Sequence, residues 1–334
     1  MHSLSRRKFI FQSAAAGAVL GLIDHLPALA RPAEGKRVGI IGLDTSHAIA
    51  FTKALNAEQP DAIYDGYKVV AAYPYGSKDI ESSTKRIPGY IEEVKKMGVE
   101  IVGSIKELLG KTDVILLETN DGRLHLEQAL EVFKAGKRMF IDKPVAASLS
   151  DTLKIYEAAK KYNIPVFSAS SLRYIKGIES IDKKKVLGAD TYSPAVLEKT
   201  HPDFFWYGIH GVETLYTVMG TGCKSVTRVS TPNTDIAVGI WADGRTGTFR
   251  GTRTGKHDYG GTVFTEDGNK VLGPYGGYEP LLVDIIRYFK TGEVPVTPEE
   301  TIEIFAFMEA ADESKRQGGK SVTLESVLAK AGKK

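Results

Sequence analysis

From Val38 onward the apolar positions follow two alternating patterns. Short, nearly unbroken apolar runs occupy Val38 to Ile41, Lys68 to Tyr73, Asp113 to Glu118, Arg138 to Ile141 and Pro165 to Ser168. Runs of this length read as buried strands of a parallel sheet. Between them the spacing predicts helices. One is capped by Thr45 and Ser46 and runs through Phe51, Ala54 and Leu55. Others cover Tyr90 to Met97, Ile105 to Leu109, Leu124 to Ala135, and a stretch capped by Ser148 or Ser150 that ends near Tyr162. Val99 to Val102 reads as extended. Strand and helix alternate from Val38 to about Ser170, which predicts an α/β, doubly wound parallel sheet of Rossmann type.

The pattern then changes. Leu187 to Asn269 is rich in Gly, Thr, Val and aromatic residues, with strand-like runs at Val226 to Val229, Ile236 to Trp241, Thr246 to Thr252 and Gly261 to Thr265. Asp243-Gly244 and Asp267-Gly268 read as hairpin turns. One helix, about His210 to Met219, interrupts; two more are predicted near Pro280 to Lys290 and Pro298 to Arg316. The second domain is therefore expected to be α+β, with a mostly antiparallel open sheet. The division is 31–170 for the Rossmann-type domain and 171–334 for the second.

The first thirty residues read as a leader. Ser5-Arg6-Arg7-Lys8-Phe9-Ile10 is a twin-arginine signature, Ala14 to Ile23 is a modest apolar run, and Ala28-Leu29-Ala30 offers a cleavage site. The run is shorter than the roughly 20 residues a membrane span needs, so no stable insertion is expected. Export in the folded state to the periplasm or beyond follows. Composition excludes several classes. Net charge is +3 over 334 residues with no basic run in the body, so nucleic acid is not an implied partner. A single cysteine, Cys223, rules out an intrachain disulfide and a cysteine-rich metal site. No short-spaced ligand motif supports a metal centre built from Asp44, His47, His125, His201 or His210, and none is expected.

Chemistry concentrates at strand ends. Val38 to His47 is a strand, a tight turn at Gly42 and a helix start, the opening of a nucleotide-binding βαβ unit. Two of the three fingerprint glycine positions hold Asp44 and His47. Asp44 is expected to crowd a pyrophosphate, leaving the helix N-terminus with Thr45 and Ser46 to hold an anion. Asn120 lies in the loop after the third long strand. The second strand ends at Tyr73-Pro74-Tyr75-Gly76-Ser77 without the usual ribose-binding acid. Asp79 or Glu81 could substitute, Ser77, Lys78, Lys85 and Arg86 could favour a phosphate, or the segment is a solvated loop.

The order of motifs resembles the glucose–fructose oxidoreductase / inositol dehydrogenase family (Gfo/Idh/MocA). It comprises a glycine-turn βαβ unit, a strand ending in Asp142-Lys143-Pro144, and a β-rich domain with a Gly-x-His-x-x-acid helix start at Gly208 to Glu213. The resemblance covers 31 to about 331. It implies NAD or NADP as cofactor, a sugar, cyclitol or related polyol as substrate, and oligomers formed through the second sheet. It places Lys143 between nicotinamide and substrate, His210 as acid/base, Glu213 as the acid after it, and Arg173 beyond the next strand. His125 also matches the family's histidine in the loop region after its fourth strand, and on its own reads as structural or as a support behind the site. The acid expected four residues before the histidine is replaced by Trp206.

The residues themselves suit that chemistry. Oxidising a secondary alcohol needs a base of near-neutral pKa and a cation on the oxygen, roles open to His210 and Lys143. Arg173 and Tyr174 contact substrate or pack the domains. Glu198 to Tyr207, with His201, Asp203, Trp206 and Tyr207, mixes aromatic and polar groups as a sugar site or an aromatic core does, and His201 or Asp203 could replace the missing acid. Three functions follow: an exported oxidoreductase with a tightly held, recycled cofactor; a redox-assisted glycan-cleaving lyase or hydrolase on the same site; or a carbohydrate-binding protein that has lost its cofactor.

Overall fold

The computed structural model describes residues 35–333. The leader therefore lies outside the described residues. The first sheet is six-stranded and parallel, built from β1 (Arg37–Ile41), β2 (Lys68–Tyr73), β3 (Glu100–Ile101), β4 (Val114–Leu117), β5 (Arg138–Asp142) and β6 (Val166–Ala169). Its order is β3-β2-β1-β4-β5-β6, the doubly wound arrangement with its crevice between β1 and β4. β4 and β5 are buried along their whole length, as their continuous apolar runs require.

The crossover helices are α1 (Ser46–Leu55), α2 (Glu81–Lys96), α3 (Ile105–Lys111), α4 (His125–Lys134) and α5 (Leu149–Tyr162). Thr45, Ser104 and Ser148 cap α1, α3 and α5 with side-chain oxygens, as expected from the sequence. α2 starts nine residues earlier than the sequence reading placed it. No side chain caps its N-terminus at Ile80, and Pro88 lies inside it, so both usual start and stop signals mislead. Glu81, Lys85 and Arg86 are thus helical rather than loop residues.

The second sheet has seven strands: β7 (Val186–Pro194), β8 (Cys223–Ser230), β9 (Thr234–Trp241), β10 (Thr246–Thr252), β11 (Gly260–Thr265), β12 (Gly268–Leu272) and β13 (Val322–Thr323). Its order is β12-β11-β7-β10-β9-β8-β13, and only the β7–β10 pairing is parallel. α6 (Ile209–Met219) is buried on every side, with His210, Glu213, Thr214 and Thr217 buried among its apolar residues. A five-residue π-helical turn, Phe204–Gly208, leads into it.

The tail crosses back. α7 (Glu279–Thr291) places Leu282, Ile285 and Phe289 in the same core as Val38, Ile40 and Phe140 of the first sheet. Arg138 Nη1 donates to the Phe289 carbonyl at 2.7 Å, which fastens that end of α7 to β5. The region 171–334 therefore contributes a helix to the Rossmann core, a crossing that residue patterning does not reveal. α8 (Pro298–Arg316) and α9 (Leu324–Ala331) close the chain. No helix among the described residues is long and apolar enough to cross a membrane.

Candidate active site

At the C-terminal edge of the first sheet, the turn after β1 is stitched to the end of β2. Gly42 N–H donates to the Tyr73 carbonyl (2.8 Å) and Leu43 N–H to the Pro74 carbonyl (3.1 Å). Gly42 has φ +89°, and a Cβ there would lie 2.5 Å from the Thr119 backbone nitrogen. Glycine is required at this bend on both counts. Thr45 then caps α1, its Oγ1 accepting from Ala48 N–H and donating to Glu118 Oε2 at 3.2 Å.

The Asp44 side chain does not lie at the surface of the turn, where the sequence reading placed it against an anion. It is fully buried and turned inward, where Oδ1 accepts from Asn120 N–H at 2.9 Å. A Cβ on Gly76 would lie 2.0 Å from Asp44 Oδ2, so the β2 loop closes directly over the carboxylate. Burial pushes this carboxyl up to about 6, against the hydrogen bond from Asn120. The Asp44 carbonyl meanwhile accepts from Arg86 Nη1 at 3.2 Å, which brings a guanidinium to the turn.

Two hollows flank this closure. The first, about 220 Å³, is lined by Thr45, Ser46, His47, Ser82, Arg86, Asn120, Lys143, Ser171, Leu172, Trp206, Tyr207, His210, Tyr259, Tyr275 and Tyr278. Lys143 follows β5 and His210 opens α6, so the two sheets bring these residues together. Burial alone would lower the Lys143 ammonium; Asp142, then Tyr207, Tyr278 and Glu118, hold it above its ordinary value. His210 is pushed well below the usual histidine range by burial, then by Lys143 and His47. It is a neutral imidazole beside a charged lysine. Its Nδ1 lies 2.7 Å from Ser170 Oγ, which fixes the ring.

The second hollow, about 680 Å³, is lined by Tyr73, Tyr75, Gly76, Ser77, Lys78, Asp79, Asp121, Arg123, Leu124 and Gln128 among others. Asp79 is held down at about 2 by Arg123 and by the Ser77 hydroxyl. Arg123 also binds Asp121, with Nη2 2.6 Å from Oδ2. The two hollows suit the two ends of a dinucleotide. The N-terminus of α1, with Thr45, Ser46 and Arg86, can hold an anion near the first, and the Asp79–Arg123 pair offers polar contacts at the second.

Not every candidate reaches these hollows. Arg173 Nη1 pairs with Glu213 Oε2 at 2.9 Å and its Nη2 with Glu300, so Arg173 and Glu213 satisfy each other inside the fold. Tyr174 Oη donates to Asp284 Oδ2 at 2.6 Å, tying the chain to α7. His201 Nε2 accepts from Gly122 N–H at 3.2 Å, and its ring lies 4.9 Å from that of Trp206, which it backs. Asp203 binds Arg228 and Lys315 instead of standing in for the missing acid. His125 Nε2 lies 2.6 Å from the Thr119 carbonyl, a structural contact as expected.

Sequence reasoning missed several residues. Tyr259 stands directly before β11, and Tyr275 and Tyr278 come from the segment between β12 and α7; none carries a local signal that places it at the hollow. Glu118 carried a signal: an acid directly after a continuously apolar parallel strand sits at the ligand edge of the sheet. It lies with His47 and Asp142 in one buried group, each offering a ligand atom within 4.8 Å of the others.

Residues 36–170 match a family described as the Gfo/Idh/MocA oxidoreductase family, NAD-binding Rossmann fold. An uncharacterised oxidoreductase of Streptococcus pneumoniae is 21% identical over 152 residues, which are 40% of this chain and 41% of that protein. The alignment thus spans under half the length of the curated relative. Solved structures with the same fold include scyllo-inositol dehydrogenase from Lactobacillus casei with NAD(H) and scyllo-inositol, with TM-score 0.69, 14% identity and coverage of 87% of this chain and 100% of that one. Myo-inositol 2-dehydrogenase from Lactobacillus plantarum gives TM-score 0.69, 18% identity, 87% and 99%. A "probable dehydrogenase" from Thermotoga maritima gives 0.70, 20%, 87% and 99%. At these identities the structural likeness establishes the fold, and the family match is confined to the N-terminal domain, residues 36–170.

Proposed function

We propose that this chain, whose N-terminal domain matches the Gfo/Idh/MocA oxidoreductase family, is an exported NAD(P)-dependent oxidoreductase acting on a secondary alcohol of a sugar, cyclitol or glycoside. One observation carries the reading. Lys143 and His210 line the same hollow at the ligand edge of a parallel sheet, with Trp206, Tyr207, Tyr259, Tyr275 and Tyr278 as its aromatic wall. Such walls suit the apolar face of a cyclic polyol, and their hydroxyls suit its rim.

A bound nicotinamide supplies the hydride acceptor or donor. The chain's own residues do the rest. Lys143, held charged, polarises the reacting oxygen. His210, held neutral, takes the hydroxyl proton, with the tautomer that donates Nδ1–H to Ser170 Oγ leaving Nε2 as the acceptor. Thr45, Ser46, Asn120 and Arg86 orient the anionic linker. The Leu43–Pro74 pairing closes the β2 loop over the turn, which favours a cofactor that stays bound and is recycled in each cycle. That retention also suits the redox-assisted lyase reading, which uses the same two residues.

The test is turnover of a panel of inositols, aldoses and glycosides by the full chain, with and without added NAD or NADP, followed by nicotinamide absorbance and product analysis. Reduction of added cofactor supports a dehydrogenase. Glycoside cleavage without added cofactor supports the lyase. Folded protein that neither carries nor binds either dinucleotide overturns both. A second copy of the chain is the proposed partner. Tyr192, Arg250, Ile236 and Val229 lie directly opposite one another across β7, β10, β9 and β8, so they share one face. Val229 is 62% exposed and Tyr192 42%. A monomer in light scattering would remove this partner.

A further inference from the structure

We propose that His47, Glu118 and Asp142 form a binding site for a divalent first-row transition-metal ion of the zinc class. The three come from separate elements at the sheet edge: the first turn of α1, the residue after β4 and the end of β5. Their ligand atoms lie within 4.8 Å of one another, and all three residues are buried.

The second observation is what these atoms lack. Glu118 Oε1, Asp142 Oδ1 and His47 Nδ1 are each buried without a hydrogen bond. His47 Nδ1 and Asp142 Oδ1 are 2.8 Å apart, an ion-pair contact out of hydrogen-bond alignment, so Glu118 Oε1 is the atom of the three with neither kind of partner. The remaining oxygens are accounted for. Thr45 Oγ1 donates to Glu118 Oε2, and Lys143 Nζ stands 3.5 Å from Asp142 Oδ2. Each carboxylate thus has one oxygen held by a neighbour and one without a hydrogen bond. That is the outer support that orients metal ligands.

One imidazole and two carboxylates suit zinc, cobalt(II) or manganese(II) better than magnesium, which favours all-oxygen sites, or copper(I), which favours thiolates. His47 and Lys143 line the first hollow, which supplies a path for the ion and room for a solvent or substrate oxygen as a further ligand. The site also gives a reason for histidine at the third fingerprint position, where close helix–strand packing otherwise asks for a small residue. Metal binding here does not depend on the oxidoreductase reading.

The experiment uses the full, tag-free chain, stripped with a chelator and titrated with zinc by calorimetry and elemental analysis. One ion per chain and a raised thermal midpoint are expected. Glu118→Gln and Asp142→Asn should each weaken binding by about 100-fold or more, while His257→Gln, at an exposed site, should leave it unchanged. Folded wild-type protein that binds no zinc overturns the proposal. So does equal affinity in folded Glu118→Gln, which marks an adventitious ion only. Should the variants fail to fold, X-ray absorption on the wild-type zinc or cobalt complex decides. One imidazole with oxygen donors is expected, and two imidazoles, none, or any sulfur overturns the site. Dinucleotide titrated into the same samples reports separately on the oxidoreductase reading.

Discussion

Around Arg228, under the second sheet, the buried charges are matched donor to acceptor; around His47, at the edge of the first, several buried atoms have no hydrogen bond. Arg228 Nε donates to Asp235 Oδ1 (2.9 Å), Nη2 to Asp203 Oδ2 (2.8 Å) and Nη1 to Asp312. Its guanidinium lies 4.0 Å from the centre of the Phe204 ring. Arg253 and Lys315 share the remaining load on Asp235 and Asp203. The His47 group has no such closure and opens on a hollow that also holds Lys143 and His210. A satisfied cluster positions elements. An unsatisfied one next to a cavity is poised to act on something that enters.

The largest expected difference between the two regions is in turnover. Lys143→Met and His210→Asn should each lower kcat about 100- to 10,000-fold, the usual range for a lost acid/base or polarising group. Both should keep the wild-type circular dichroism. Near wild-type kcat in either variant would remove that residue from the mechanism. Arg228→Met reverses the pattern. It leaves Asp235, Asp312 and Asp203 around an empty centre and should cost about 3–5 kcal/mol in urea unfolding, because breaking a buried pair leaves uncompensated charge. An unfolding midpoint close to wild type would show that the second cluster is not structural after all.

Asp44 stands between these cases and is read through pH. Burial holds its folded-state carboxyl at about 6 against an ordinary value of 3.8. A raised carboxyl binds protons more tightly in the folded chain. It therefore contributes instability that grows as pH rises from about 4 to 6 and is complete above 6. Asp44→Asn keeps an acceptor for Asn120 N–H and removes the charge. The variant should gain up to about 2–3 kcal/mol at pH 7.5, and the gain should fade towards zero below pH 4. Unfolding midpoints at the two pH values check this; a gain that does not change with pH would mean the carboxylate is solvated.

The contrast also explains what residue patterning could reach. The parallel sheet, its capped helices, the Gly42 bend and the positions of Lys143 and His210 all follow from local signals, and each reappears in the fold. The inward turn of Asp44 does not. It depends on Gly76 and Asn120, which approach from two other strand ends and bear no fixed spacing to the turn. Arg173 and Glu213 look like substrate residues in sequence because both sit at expected offsets, yet across 40 positions they find each other. α7 is legible as a helix, but nothing in its own periodicity says that it covers the first sheet and brings Tyr278 to the site.

Trp206 should give the smallest effect, and it probes whether the hollow's wall belongs with the reactive group or with the scaffold. The π-helical turn sends Phe204 and Phe205 into the core, while Trp206 and Tyr207 line the hollow. Behind Trp206, His201 is held by Gly122 N–H and lies beside Thr200 Oγ1 at 2.9 Å. The backing is therefore rigid without the indole. Trp206→Ala should remove contact area from the proposed polyol substrate equally in the ground and transition states. Such uniform loss raises KM and leaves kcat in place. A stacking contact worth about 1 kcal/mol corresponds to about a fivefold rise in KM on the usual scale of about 1.4 kcal/mol per factor of ten. Trp206→Phe should recover much of that loss, since the ring face is what the substrate meets. If kcat falls instead and KM holds, the indole orients His210 or Lys143 and belongs to the reactive side of the comparison.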